Sequence, residues 1–164
     1  MPENPSPVPP RPFRNPVQFL AFGFGSGLSP RAPGTVGTLV AVPLYLLLAP
    51  LSLAVYSAIV VAAFVLGVFL CGHASRQLGV HDHGGIVWDE FVGYWIAMWA
   101  APQGWLWVVL GFVLFRLFDI LKPWPIGWLD RRVHGGLGIM IDDVVAGLMA
   151  WGCLQGVAMV WHGL

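Results

Sequence analysis

Charge is scarce in this chain. Lys and Arg together number eight, Asp and Glu eight, and the four types make up 10% of 164 residues. A soluble domain averages about 25% charged residues. Here 57% of residues are hydrophobic and the mean hydropathy is +0.75, so water is not the solvent this composition suits. The formal net charge is zero and no basic run occurs, which argues against nucleic acid as a partner. Cysteine is scarce too. Cys71 and Cys153 both lie in apolar segments without a Cys-x-x-Cys pattern, so buried thiols are expected rather than a disulfide or a thiolate metal site. The opening MPENPSPVPPRPFRNP has no apolar core and is not a signal peptide; its prolines read as a disordered tail over residues 1–16. The length suits one domain, residues 17–164.

What is abundant is apolar sequence, in five segments: 35–49, 51–72, 86–100, 104–121 and 140–161. A spanning helix needs about 20 residues, with a range of about 17–25. The second, fourth and fifth segments meet that; the first and third would have to thin the bilayer or begin in its interface. The expected fold class is therefore all-α, a small polytopic membrane bundle of about five apolar helices. A sixth stretch, VQFLAFGFGSGL at 17–28, is too short and glycine-rich to span, and reads as an interfacial or re-entrant segment. Gly152 and Gly156 form a Gly-x-x-x-Gly, a pattern of close helix packing.

The joints at Pro50 and at 101–103 are short and uncharged, whereas 72–85 and 122–139 are longer and polar. If all five segments span, the two polar loops share one side. All eight basic residues fall on that side or in helix ends that reach it, and the positive-inside rule makes it cytoplasmic. Trp99, Trp105, Trp107 and Trp161 would then line the opposite interface.

The same topology gathers the acids. Asp89 and Glu90 open the third segment, Asp119 closes the fourth, and Asp142 and Asp143 open the fifth. Five carboxylates on three helices come to one depth. Acids at helix N-termini are favoured by the macrodipole, so any one of them reads first as a cap. Two adjacent pairs together with Asp119, which stands at a C-terminus where the dipole opposes it, read as a site. Clustered carboxylates repel unless a cation sits among them, and an all-oxygen donor set favours Mg²⁺, Mn²⁺ or Ca²⁺. Arg116 and Lys122, three residues either side of Asp119, are placed to hold a phosphate. Asp130, beside Arg131 and Arg132, reads equally as a loop ion pair or a ligand. The loop 23–38 and its Arg31, Thr35 and Thr38 could cradle phosphate before a helix, though a flexible turn is the plainer reading. His81, Asp82, His83 and His134 are second-tier candidates.

Familiar nucleophile signatures are missing. There is no Gly-x-Ser-x-Gly elbow, no Walker loop and no Asp-x-Asp-x-Thr, and Cys71 and Arg76 stand one residue too close for a cysteine-phosphatase loop. For a hydrolase, a metal-activated water is the economical nucleophile that remains. Ion-coupled transport is the alternative function class, since intramembrane acids also mark ion paths. It would place the acids near the midplane within an inverted repeat, and no repeat is present.

Four blocks complete the reading: GFGSGLSPRAPGTVGT, HDHGGIVWDEFVG, FRLFDILKPWPI and DRRVHGGLGIMIDDVVAG. In that order, over roughly residues 17–150, they resemble the bacterial phosphatidylglycerophosphatase A family. The resemblance implies a small α-helical, Mg²⁺-dependent lipid phosphatase of the inner membrane. Such an enzyme hydrolyses phosphatidylglycerophosphate to phosphatidylglycerol and phosphate, a step of glycerophospholipid biosynthesis. The family's acidic motifs fall on Asp89, Glu90, Asp119, Asp130, Asp142 and Asp143. The expected catalytic and metal-holding set is Asp89, Glu90, Asp119, Asp142 and Asp143. Arg31, Thr35, Arg116, Lys122, Asp130, Arg131 and His134 are the expected substrate contacts. The expected partners are the lipid substrate and a membrane, with the site on the cytoplasmic side of a multi-pass protein.

Overall fold

Buried apolar surface and satisfied helix ends, rather than strand pairing, organise this chain. The computed structural model describes residues 8–80 and 83–163, and among them there is no strand. Seven α-helices follow in order among the described residues: α1 (Pro16–Ala21), α2 (Pro33–Leu48), α3 (Leu53–Leu78), α4 (Trp88–Ala97), α5 (Trp105–Leu121), α6 (Ile126–Arg132) and α7 (Gly135–Gly163). Short 3-10 turns occupy Pro12–Arg14 and Gly23–Leu28. The stretch 17–28 is thus α1 followed by a kinked turn, with Phe24 and Gly25 at positive φ.

Among the described residues, two helices are long and apolar enough to cross a bilayer, α3 and residues Gly135–Trp161 of α7. That corrects the expected number, about five. At 1.5 Å per residue, α3 is about 39 Å long and α4 only about 15 Å, half of a hydrocarbon core. α2 is a shorter apolar helix of 16 residues, and α5 has 17. The segment at 86–100 is apolar for a different reason. α4 packs against α2, α3, α5 and α7, and eight of its ten residues are buried. A helix apolar on every side is a core helix whether its cover is lipid or protein, and sequence pattern does not separate the two.

Aromatic rings suspend α4 from its neighbours. Trp88 Nε1 donates to the Ala63 carbonyl (3.0 Å) and Trp95 Nε1 to that of Ala41 (3.2 Å). Tyr94 Oη donates to Val108 O (3.2 Å), and Tyr56 Oη donates to Trp95 O (2.6 Å). A buried indole N–H or phenol O–H needs an acceptor; carbonyls of α2, α3 and α5 supply those for the rings of α4, and the Trp95 carbonyl of α4 supplies that for Tyr56 of α3, which fixes α4 in depth and rotation. Trp107 is also in this core, 5% exposed, and not at an interface as expected; Trp105 and Trp161 remain largely exposed. Cys71 is buried beside Met140, whereas Cys153 is exposed.

Close helix packing occurs, but not at the expected glycines. Gly152 and Gly156 face open space. The tight crossing of α4 and α7 is at Gly93 and Gly147, where an added Cβ would strike the facing helix's carbonyl oxygen. Gly147→Ala is expected to destabilise by about 1–3 kcal/mol and Gly156→Ala to be nearly neutral. Thermal unfolding in detergent distinguishes them.

Helix ends are terminated locally. Ser52 Oγ accepts from the Val55 amide at the start of α3. Gly79, at φ 67°, ends α3 in the left-handed conformation that glycine adopts without strain. α3 runs six residues beyond the apolar segment into what read as a polar loop, and α7 begins five residues early. The described part of the proline-rich stretch touches the bundle: Val8 N donates to Leu78 O, and Pro12 is buried. Asn15 caps α1 and donates to Gln77 Oε1 of α3 (2.8 Å).

Candidate active site

α2 and α7 begin, and α3 and α5 end, at one end of the bundle, and the first turn of α4 meets them there. Glu90, in that turn, is 7% exposed. Its Oε2 accepts from Thr38 Oγ1 of α2 (2.8 Å) and from Arg116 Nη1 of α5. The same Arg116 nitrogen pairs with Asp119 Oδ2 at 2.7 Å, one helical turn on. Arg116 thus holds two carboxylates from two helices, and its Nε is buried without an acceptor among the described residues. α2 comes this close to Glu90 because position 34 is glycine; any Cβ there would collide with Glu90 Oε1.

A second ionic group adjoins the first. Lys122 ends α5 at φ 43°, and its ammonium reaches Asp142 Oδ2 of α7 (2.8 Å) and Asp130 Oδ1 of α6 (3.1 Å). Burial pulls the Lys122 pKa down, but the carboxylates of Asp142 and Asp130 outweigh it and hold the ammonium above the usual lysine value. Asp142 and Asp143 are 7% and 3% exposed. Asp143 Oδ2 is buried without a hydrogen-bond partner among the described residues. It lies within electrostatic reach of Glu90, Asp89, Asp119 and Asp142.

The structure therefore brings together Asp89, Glu90, Asp119, Asp142 and Asp143, with Asp130, Arg116 and Lys122 beside them. Others of the expected residues stand outside. Arg31 and Arg131 are exposed and make no ion pair among the described residues, and Thr35 is half-buried in the first turn of α2. His134 is exposed, with Nδ1 3.1 Å from the Arg132 carbonyl oxygen. His83 braces its own loop, where its Nδ1 accepts from the Gly85 amide (3.0 Å), and its ring lies against Phe22. His81 and Asp82 lie outside the described residues.

The family profile described as Phosphatidylglycerophosphatase A matches residues 19–158. The chain belongs to the phosphatidylglycerophosphatase A family. A phosphatidylglycerophosphatase A of Escherichia coli (strain K12) is 53% identical over 148 residues, which cover 90% of this chain and 86% of the relative. One of Haemophilus influenzae is 49% identical over 138 residues, 83% of this chain and 85% of the relative. A Bacteroides thetaiotaomicron protein whose name, given provisionally, is phosphatidylinositol-3-phosphatase is 38% identical over 139 residues, 80% of this chain and 87% of the relative. No solved structure matches the chain.

The divalent cation implied by the resemblance to phosphatidylglycerophosphatase A meets a donor set of the right chemistry. Six carboxylates gather around two cations that pair with four of them, no sulfur is involved, and among the described residues one buried carboxylate oxygen lacks a hydrogen-bond partner. Hard oxygen donors with excess negative charge suit Mg²⁺. In the arrangement as it stands, Arg116 and Lys122 take up acceptor oxygens, and among the described residues no three Asp, Glu, His or Cys side chains are grouped to hold an ion.

Thr38 is the residue that sequence reasoning undervalued. It is fully buried and bonded to Glu90. The available signal was its spacing of four from Gly34, which puts both on one helix face. Thr38→Val keeps the shape but removes a donor from a buried acceptor, and is expected to cost about 1–3 kcal/mol. Thr38→Ser should recover most of it, as read by thermal unfolding.

Proposed function

We propose that this protein is a Mg²⁺-dependent lipid phosphatase that removes the terminal phosphomonoester of phosphatidylglycerophosphate, giving phosphatidylglycerol and phosphate. The observation that carries this is the carboxylate cluster with its two cations, gathered at one end of an apolar bundle. Family membership supports the substrate. Asp89, Glu90, Asp119, Asp142 and Asp143 would hold the ion, whose chemistry is to polarise the phosphoryl group and stabilise the leaving alkoxide.

The chain's own residues divide the remaining work. Lys122, a third exposed, is the cation within reach of an arriving phosphate. Arg116 is nine-tenths buried between Glu90 and Asp119, so its part is to keep those carboxylates in place against their mutual repulsion. A carboxylate of the cluster accepts the proton of the attacking water. Burial of Glu90, Asp142 and Asp143 keeps bulk water from competing for their charge.

α3 and α7 anchor the protein in a bilayer. An outward stripe on α5 (Leu106, Val109, Val113, Leu117, Ile120) supports the same reading, because exposed apolar surface on that scale marks a membrane or a partner. Arg11, Arg14, Arg31, Arg76, Arg131 and Arg132 lie toward the site's end of the bundle, which supports a reading with that end facing the cytoplasm at an inner membrane. The site then sits at headgroup depth. The acyl chains remain in the lipid while the phosphate enters.

The test is phosphate release by detergent-purified protein from phosphatidylglycerophosphate, phosphatidylinositol 3-phosphate and phosphatidic acid, with Mg²⁺ and with EDTA. Release from phosphatidylglycerophosphate that needs Mg²⁺ and exceeds the other two is expected. Equal or faster release from phosphatidylinositol 3-phosphate would move the substrate to the one named for the Bacteroides relative. Release undiminished by EDTA would remove the metal.

A further inference from the structure

The connection between α5 and α7 carries a surface that the phosphatase chemistry does not use. Its inner side is fixed: Ile126 is fully buried, and Asp130 is tied to Lys122. Its outer side combines two chemistries. Trp124 is 81% exposed and Trp128 44%, beside the exposed Ile120 and Leu121 at the end of α5. Arg131 and Arg132 are exposed, and neither forms an ion pair among the described residues. The Arg132 guanidinium lies 5.1 Å from the centre of the Trp128 ring. The one acid in α6, Asp130, is paired with Lys122, so Arg131 and Arg132 are the charges of α6 left without an ion pair among the described residues.

Two exposed indoles next to guanidinium groups with no ion pair among the described residues would be poorly placed in water and poorly placed in hydrocarbon. They suit the layer between, where indole rings settle and basic side chains meet lipid phosphates. The connectivity puts them at that depth, since four residues (122–125) join α5 to α6 and two (133–134) join α6 to α7. The outward stripe of α5, from Val109 through Val113 and Leu117 to Ile120, runs directly onto Leu121 and Trp124. One occupant can cover the stripe and the patch together.

We propose that Trp124, Trp128, Arg131 and Arg132 form a docking surface for anionic glycerophospholipid headgroups beside the active site. This assigns Arg131 to the surrounding lipid rather than to the reacting phosphate. The surface enriches acidic lipid next to the carboxylate cluster, and it rests on the membrane reading given above but not on the phosphatase reaction.

Tryptophan fluorescence in reconstituted bilayers tests it. Phosphatidylcholine–phosphatidylglycerol bilayers of one composition carry bromine on the acyl chains of either the anionic or the zwitterionic lipid, in equal amount. The difference between the native protein and the Trp124→Phe/Trp128→Phe double variant isolates the two indoles. Bromine on phosphatidylglycerol is expected to quench that component about twofold more than bromine on phosphatidylcholine. Arg131→Gln/Arg132→Gln should bring the two lipids to equality. Equal quenching of the native protein by both lipids overturns the anionic preference. If the remaining tryptophans are quenched and these two are not, the docking surface falls and the membrane reading stands. If no tryptophan is quenched by either lipid, both fall, whatever phosphate release shows.

Discussion

Asp143→Asn is expected to lower turnover by about 10²–10⁴-fold without lowering thermal stability in EDTA. Asp143 is buried, its Oδ2 has no hydrogen-bond partner among the described residues, and its electrostatic neighbours include four other carboxylates. A residue kept for stability would not be placed there. Asparagine preserves the shape, removes a like charge and offers an amide to acceptor oxygens, so the fold loses nothing. On the proposed reading, what it removes is a ligand of the metal ion. Mg²⁺ should therefore raise the thermal midpoint of the native protein, by binding the folded state, and fail to raise that of the variant. Loss of stability in EDTA together with unchanged turnover per folded molecule would show Asp143 to be structural and sink its assignment. Retained function at high stability would be unusual for a group so placed, since strained charge clusters persist where activity needs them.

Arg116→Met should have the largest effect on folding, about 3–5 kcal/mol of destabilisation. Its guanidinium is the hydrogen-bonding cation for both Glu90 and Asp119, and its side chain is 12% exposed. Methionine fills much of the volume, so the loss measures the charge rather than a cavity. Arg116→Lys should fall between, because a single ammonium does not reproduce a planar fork that reaches two carboxylates. Denaturation in detergent, followed by circular dichroism, ranks the three proteins. If Arg116→Met unfolds no more readily than native, the pairings do not hold the site together, and Arg116 returns to being a candidate for the phosphate itself.

Particular residues show where sequence reading worked and where it stopped. The spacing of Arg116 and Asp119 puts them on one helix face, and the ion pair follows from that local geometry. The gathering of Asp89, Glu90, Asp119, Asp142 and Asp143 followed from segment boundaries and alternating direction alone, because each acid stands near the same end of an apolar run. Thr38 was legible only weakly. Its hydroxyl matters through Glu90, 52 residues away, and no local pattern reports such a partner. Gly152 and Gly156 had the local pattern and lack the contact, whereas Gly93 and Gly147 have the contact across two helices and lack the pattern.

By itself, then, the sequence determined an all-α chain of apolar segments, the end at which its acids and bases collect, and the family to which its motifs belong. These are consequences of composition, run length and connectivity, which act along the chain. Only the tertiary structure decided that α4 is enclosed by protein, because apolar residues on every side do not say what encloses them. It also decided which cation meets which carboxylate. Arg116 and Lys122 each had several acids within side-chain reach, and the choice was made by how α2, α4, α5 and α7 pack, through glycine contacts and indole–carbonyl bonds between helices.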